Sequence, residues 1–300
     1  MKTLGVKNNF LAIDEKYSSF ENSEIVIQSV PYEKTVSYGK GTSKGPKAIL
    51  KASHYVEFFD EELNRELCFE KGIAALSPLN LEKLPPAEAI KKIYESTKNL
   101  LNKNKFVVTL GGEHTISQAP IKAYLEKYSD LTVLQFDAHS DLRNSYEGTK
   151  YSHASVMARV AEMTKSIVQV GIRAQCKEEY EFIKSNGIAA FYARDIFSSV
   201  SDKWHKDVIN ALGKNVYITF DVDGFDPSLL PATGTPEPGG LFWDNTMNLL
   251  KKIGESKNIV GFDVVELAPS KAHPASDFIA AKLVYKMLNY AFINSRICIT

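Results

Sequence analysis

The sequence predicts a three-layer α/β/α sandwich on a mostly parallel sheet of about eight strands, in a single domain over residues 1–300. Three observations lead there. Strand-like and helix-like stretches alternate along the whole chain, as expected when helical crossovers join the strands of one sheet. The strand-like runs are close to continuously apolar, so both faces of that sheet are covered. Three of the runs end in acids and histidines at their carboxyl ends, where open α/β sheets hold their ligands. An eight-stranded barrel is the competing architecture. Uneven loop lengths and the gathering of polar ends on three strands favour the open sheet.

At 300 residues, with no Pro/Ser linker, composition break or internal repeat, the chain has ample length for one large core. Apolar residues make up 44% and charged residues 24%, which excludes a disordered protein. Lys plus Arg and Asp plus Glu both number 36. With zero formal charge and no basic tract or acidic tail, neither nucleic acid nor an anionic membrane is expected as a partner. The opening stretch MKTLGVKNNFLAIDEKYSSF lacks the apolar core of a signal peptide, and no run is long enough to span a bilayer, so a cytoplasmic location is expected. Cys68, Cys176 and Cys298 are far apart and form no CxxC pair, which fits reduced structural thiols.

In chain order, 24–30 reads as the first buried strand. A long loop follows, with Gly39, Gly41 and Gly45, into a helix whose first turn holds Pro46. Its glycines and lysines fit neither GxGxxG nor GxxxxGK[ST], so a nucleotide site is not expected. Residues 72–76 form a weak strand. Residues 87–102 carry Ile90, Ile93, Thr97, Leu100 and Leu101 at helical spacing. The strand 106–110 leads through GGEHTIS into a helix ending near Tyr128, and 131–136 is the next strand. A polar loop, DLRNSYEGTKYSHAS, precedes a helix over 156–164. Strands at 167–172, 188–192 and 216–220 are separated by helices at 178–185 and 202–212. The last strand, 259–265, runs into Glu266, and a helix spans 277–293.

The run 131–136 ends in Asp137, His139 and Asp141, at alternate positions that an extended backbone turns to one side. Two carboxylates and an imidazole so close together would lose hydration, and the acids would not both stay ionised. A divalent cation removes that difficulty because it takes deprotonated oxygen and nitrogen donors. The alternative is a polar turn with Asp capping a following helix. Recurrence favours the cation: 216–220 ends in Asp221 and Asp223, and 106–110 ends in Gly111, Gly112, Glu113 and His114. The Pro- and Gly-rich loop from Asp221, DVDGFDPSLLPATGTPEPGGL, has a defined path and is expected to wall the site. Asp226, before Pro227, reads as a turn-former, and His54, His205 and His273 as surface or packing residues.

GGEH at 111–114, DAHSD at 137–141 and DVDGFDPSLLPATGTPEPGGL from Asp221 closely resemble the three signatures of the ureohydrolases, the arginase and agmatinase family. The resemblance covers nearly the whole chain, from the first strand and GKGTSKGPKAI to DVVELAP. It implies an arginase-like fold with two Mn2+ per chain. By motif position, His114, Asp137, Asp141 and Asp221 would hold one ion, and His139, Asp137, Asp221 and Asp223 the other, with Asp137 and Asp221 bridging. Four carboxylates, two imidazoles and no thiolate make a hard set suited to manganese. The resemblance further implies that a hydroxide shared by the ions attacks a guanidinium carbon and releases urea. Asp141 would pass the proton to the leaving nitrogen, His153 would shuttle protons, and Glu266 would pair with the guanidinium.

Arginases carry an asparagine two positions after the last acid of DxHxD, where this chain has Arg143. The resemblance is therefore greatest to agmatinases, and the expected reaction is agmatine to putrescine and urea, in polyamine synthesis. An Arg143 facing the site would suit a carboxylate substrate such as formiminoglutamate or a guanidino acid; facing outward, it would form a salt bridge. Glu147, between the metal strand and His153, or a neighbouring loop oxygen is the expected contact for the distal amine. A one-zinc deacetylase and a metal-binding scaffold are the alternatives, and both leave the six-donor set unexplained. The family suggests a homo-oligomer, a trimer or a hexamer.

Overall fold

The computed structural model describes residues 1–198 and 203–295, so Cys298 and the expected helix start at Asp202 lie outside the described residues. Eight strands form one sheet: β1 Ile25–Val30, β2 Ile73–Ala75, β3 Phe106–Gly111, β4 Leu131–Phe136, β5 Ile167–Ile172, β6 Ala189–Tyr192, β7 Asn215–Asp221 and β8 Asn258–Val265. Their order is β2-β1-β3-β8-β7-β4-β5-β6, and every pairing is parallel. The sheet is open, which removes the barrel.

Side chains along the strands alternate between two cores, the reason the strands read as continuous apolar runs. On one face Leu134, Phe136, Ile218, Phe220, Phe262 and Val264 pack against the helices Gly45–Ser53, Lys203–Ala211, Trp243–Ser256 and Ala275–Ala291. On the other face Val107, Val133, Ile167, Tyr217 and Val260 pack against Pro86–Asn102, Gln118–Lys127, Val156–Ala161 and Lys177–Asn186. These are the three layers.

The short helices Glu15–Ser18, Leu67–Lys71 and Ala193–Ser198 were not foreseen, and two longer helices also differ from the sequence reading. The helix Trp243–Ser256 was not foreseen, although it buries Met247, Leu250, Ile253 and Gly254 at helical spacing, because the Pro- and Gly-rich loop before it masks its start. The last helix begins at Ala275, next to Pro274, ahead of the expected 277.

Register places the site. Leu110 pairs with Val264, Val264 with Phe220, and Phe220 with Phe136, so four adjacent strands end in one row. Beyond that row lie Gly111–His114, Glu266, Asp221 and Asp137. Chain order jumps between the neighbours β3 and β8, which makes this the switch point where such sheets bind ligands. The close approach there requires glycine: a Cβ on Gly112 would lie 1.9 Å from the Tyr32 carbonyl oxygen.

Candidate metal centre

After β4 the chain stays extended beside β5, with Asp137 N–H donating to Val170 O and His139 bridged to Ala174. Asp137 and His139 therefore turn to one side, as alternation requires. Asp141 adopts the left-handed backbone region (φ 54), a conformation that costs a non-glycine residue energy and gathers at functional sites. The last residue of β7 is Asp221. Its Oδ1 accepts the N–H of Asp223 at 2.9 Å, closing a short turn that brings the second acid back to the sheet end.

The six donors converge in two overlapping groups. His114 Nδ1 lies 3.0 Å from Asp137 Oδ2, 3.0 Å from Asp141 Oδ2 and 3.3 Å from Asp221 Oδ2. His139 Nδ1 lies 3.0 Å from Asp223 Oδ2 and 3.6 Å from Asp137 Oδ1. Asp137 thus turns one oxygen to each imidazole, as a bridging carboxylate would. Asp221 joins the His114 group through Oδ2, while its Oδ1 is held by the Asp223 amide.

These residues fit divalent ions. Buried His114 Nδ1, amid three carboxylate oxygens, makes no hydrogen bond of good geometry with any of them. Donors at right angles around an ion ~2.1 Å away are themselves about 3 Å apart, the spacing observed. Electrostatics point the same way. Burial, then Asp223 and Asp137, push the Asp221 carboxyl well above its ordinary value. Burial works to lower the His114 imidazole, but Asp137, Asp141 and Asp221 outweigh it and raise it well above the usual range. A pair of dications would displace the protons that these shifts favour.

His153 and Glu266 line one cleft with five of the donors, His114, His139, Asp141, Asp221 and Asp223, together with Val36, Ser37, Tyr38, Gly234 and Thr235, while Asp137 is fully buried. Glu266 has φ 65 and is nearly fully buried; burial and then Glu113 raise its carboxyl well above the ordinary value. Its Oε1 accepts the His114 N–H at 2.6 Å, and Oε2 lies on the side of Gly234. Burial, followed by the charges of His139 and His114, lowers the His153 imidazole to about 4.

The sequence matches the Arginase family over residues 23–289. It is 37% identical over 282 residues to an N(1)-aminopropylagmatine ureohydrolase of Synechocystis sp., covering 92% of each chain. It is 36% identical over 296 residues to an agmatinase of Bacillus anthracis, covering 93% of this chain and 98% of that one. The chain belongs to the arginase family. The crystal structure of the agmatine ureohydrolase of Thermoplasma volcanium superposes with a TM-score of 0.86 at 28% identity, covering 97% of both chains. This arginase-family protein is a hydrolase of carbon–nitrogen bonds in linear amidines.

Two residues expected at the site of this arginase-family chain are placed elsewhere. Arg143 Nε lies 3.8 Å from Glu179, its guanidinium sits 5.4 Å from the centre of the Tyr146 ring, and it does not line the cleft. This is the outward salt bridge. Glu147 (φ 46) and Gly148 (φ 80) form the tip of a tight turn closed by Tyr146 and Thr149, which leaves Glu147 exposed and off the cleft lining. Sequence proximity to His153 does not survive that reversal of the chain.

Other residues of the arginase-family site went unforeseen. Thr219 donates to Asp263 Oδ1 at 2.7 Å and so accepts from His114 Nε2 at 2.9 Å, which would leave Nδ1 to offer its lone pair to a bound ion. Gln135 donates to Asp137 Oδ2 at 2.7 Å and is itself held by Gln169. Arg173 donates to the carbonyls of Asp223, Gly224, Phe225 and Glu237, pinning the loop that walls the cleft. A lone acid or amide inside an apolar strand, as in GFDVV and TVLQF, was the available signal. Asp226 is a turn-former as expected, accepting from Ser228, Gly239 and Gly240. His54 contacts Asn9 O, His205 is buried beside Lys252, and His273 is exposed. Among the described residues, no helix is long and apolar enough to cross a membrane.

Proposed function

We propose that the protein hydrolyses a guanidine whose far end is a cationic amine, agmatine or its N1-aminopropyl derivative, to urea and the corresponding polyamine. The lining of the cleft carries this reading. Among the described residues it contains Asp141, Asp221, Asp223 and Glu266, and no Lys or Arg. With those three aspartates given to the metal ions and Glu266 to the guanidinium, the lining gives a substrate carboxylate no cationic side chain to pair with. With Arg143 held by Glu179, the argument for a guanidino acid or formiminoglutamate loses its residue.

His114, Asp137, Asp141 and Asp221 would hold one metal ion, and His139, Asp137, Asp221 and Asp223 the other. Manganese is the proposed metal, two ions per chain. A bound pair of dications supplies the acidity that makes water a nucleophile at neutral pH. Glu266, with Oε1 occupied by the His114 N–H, offers Oε2 to the guanidinium. Water adds through oxygen to the guanidinium carbon and yields a proton to Asp141. The carbon–nitrogen bond to the alkyl chain then breaks as Asp141 passes that proton to the leaving nitrogen, and the remaining hydroxyl proton leaves as urea forms and is taken up by the released amine. His153 exchanges protons between the cleft and solvent. By the same family likeness the protein acts in the cytoplasm, as a trimer or hexamer, in polyamine synthesis.

The test is urea release by manganese-loaded protein from agmatine, N1-aminopropylagmatine, arginine, guanidinobutyrate and formiminoglutamate. One of the two amines is expected to exceed every acid in kcat/KM by at least about 100-fold. A carboxylate substrate turned over fastest would overturn the assignment.

A further inference from the structure

Glu113 stands next to His114 in sequence but belongs to neither donor group, and its side chain is fully buried. Its Oε2 accepts the backbone N–H groups of Lys34 at 2.8 Å and Thr35 at 2.7 Å. Its Oε1 accepts the Thr35 hydroxyl at 2.9 Å. A carboxylate that receives three donors from one short segment of the β1 loop anchors that segment. It also commits the single hydrogen of the Thr35 hydroxyl.

With that hydrogen spent, Thr35 Oγ1 can only accept on its other side. Two groups of His153 meet it there: the backbone N–H at 3.2 Å and ring Nδ1 at 3.3 Å. An acceptor oxygen facing Nδ1 makes a hydrogen bond only if Nδ1 carries the proton. The Tyr146 ring, 5.7 Å away and edge-on, packs against the imidazole and limits its rotation.

We infer that Glu113, acting through the Thr35 hydroxyl, holds His153 in the Nδ1–H tautomer and leaves Nε2 as the free base for proton transfer in the cleft. Glu113 and Thr35 are positioning residues in this account. The carboxylate selects which ring nitrogen is basic without touching substrate, the role of the buried acid behind a catalytic imidazole. The consequence for rate rests on the hydrolase reading above; the tautomer itself does not.

The test separates the two. Zinc-loaded protein, which is diamagnetic, carries 15N-histidine, and long-range proton–nitrogen correlation reads each ring, with His153→Asn identifying the His153 signals. The wild type is expected to show a protonated Nδ1 and a pyridine-like Nε2. In Glu113→Gln the amide oxygen takes over the two backbone donors and its NH2 donates to Thr35. The threonine hydrogen then turns to Nδ1, and the His153 tautomer inverts. Thr35→Val abolishes the preference, and Thr35→Ser restores it.

In manganese-loaded protein, kcat falls about 10- to 100-fold in Thr35→Val, with KM within about twofold of wild type, and recovers in Thr35→Ser. An Nε2–H tautomer in the wild type, or one unchanged in Glu113→Gln, overturns the inference whatever the activity. If the tautomers behave as stated but no guanidine is hydrolysed, the hydrolase reading fails and the relay stands.

Discussion

The Glu266 carboxylate accepts a hydrogen bond from the backbone N–H of His114 at 2.6 Å, joining the end of β8 to the end of β3. One oxygen of Glu266 thus holds the peptide of His114, and the other lies on the side of Gly234. The left-handed backbone of Glu266 (φ 65) is held in place by this contact and by the Glu266 N–H donating to Gly112 O at 2.9 Å.

Glu266→Gln keeps the shape and an acceptor for the His114 N–H but loses the charge opposite the substrate cation. Its kcat/KM is expected to fall about 100-fold or more, with metal content unchanged. Steady-state urea release and metal analysis of the purified variant check this; loss of metal along with rate would reassign Glu266 to the metal site.

Thr219→Val removes the hydroxyl that fixes the His114 ring through Asp263. Partners behind a ligating histidine are typically worth 10- to 100-fold in metal affinity. Manganese titration by calorimetry should show a loss of that order. Asp263 remains hydrogen-bonded to the Tyr217 hydroxyl at 2.8 Å, so the metal-free fold should be kept.

Gly112→Ala places a methyl group 1.9 Å from a backbone oxygen, a clash no rotamer relieves. A destabilisation of more than about 3 kcal/mol is expected, visible as insoluble expression or a collapsed denaturant midpoint. A soluble variant with wild-type stability would contradict the close approach of β3 to the Tyr32 segment.

Glu62 links the loop before the helix Leu67–Lys71 to the last helix through Tyr290 and Lys286, and to the helix Trp243–Ser256 through Lys251. Burial works to raise its carboxyl, but those three groups outweigh it and bring it down to about 2. A folded-state value below the unfolded ~4.3 contributes stability in full above pH ~4.3, and that contribution is lost as pH falls through about 2. Because solvent partly screens the group, the contribution is about 1 kcal/mol. Urea melts of Glu62→Gln should show this deficit at pH 6 and converge on the wild type near pH 2; a constant difference across the range would contradict the assignment.

The sequence by itself determined the layers and the strand ends at which the candidate donors gather. Both are written in local patterns: continuous apolar runs for strands buried on two faces, and acids and histidines spaced for an extended backbone at their ends. Where Arg143 and Glu147 go was decided only by the tertiary structure: Glu147 sits on an exposed tight turn and Arg143 reaches the carboxylate of Glu179. The same holds for Thr35, Glu113, Thr219 and Asp263. Their partners are brought together from separate strands and loops, and a hydrogen bond between residues 118 positions apart, such as Thr35 to His153, leaves no periodicity in the chain to read. Local spacing reports which way a side chain points from its own strand; what it meets there depends on the order and register in which the strands assemble.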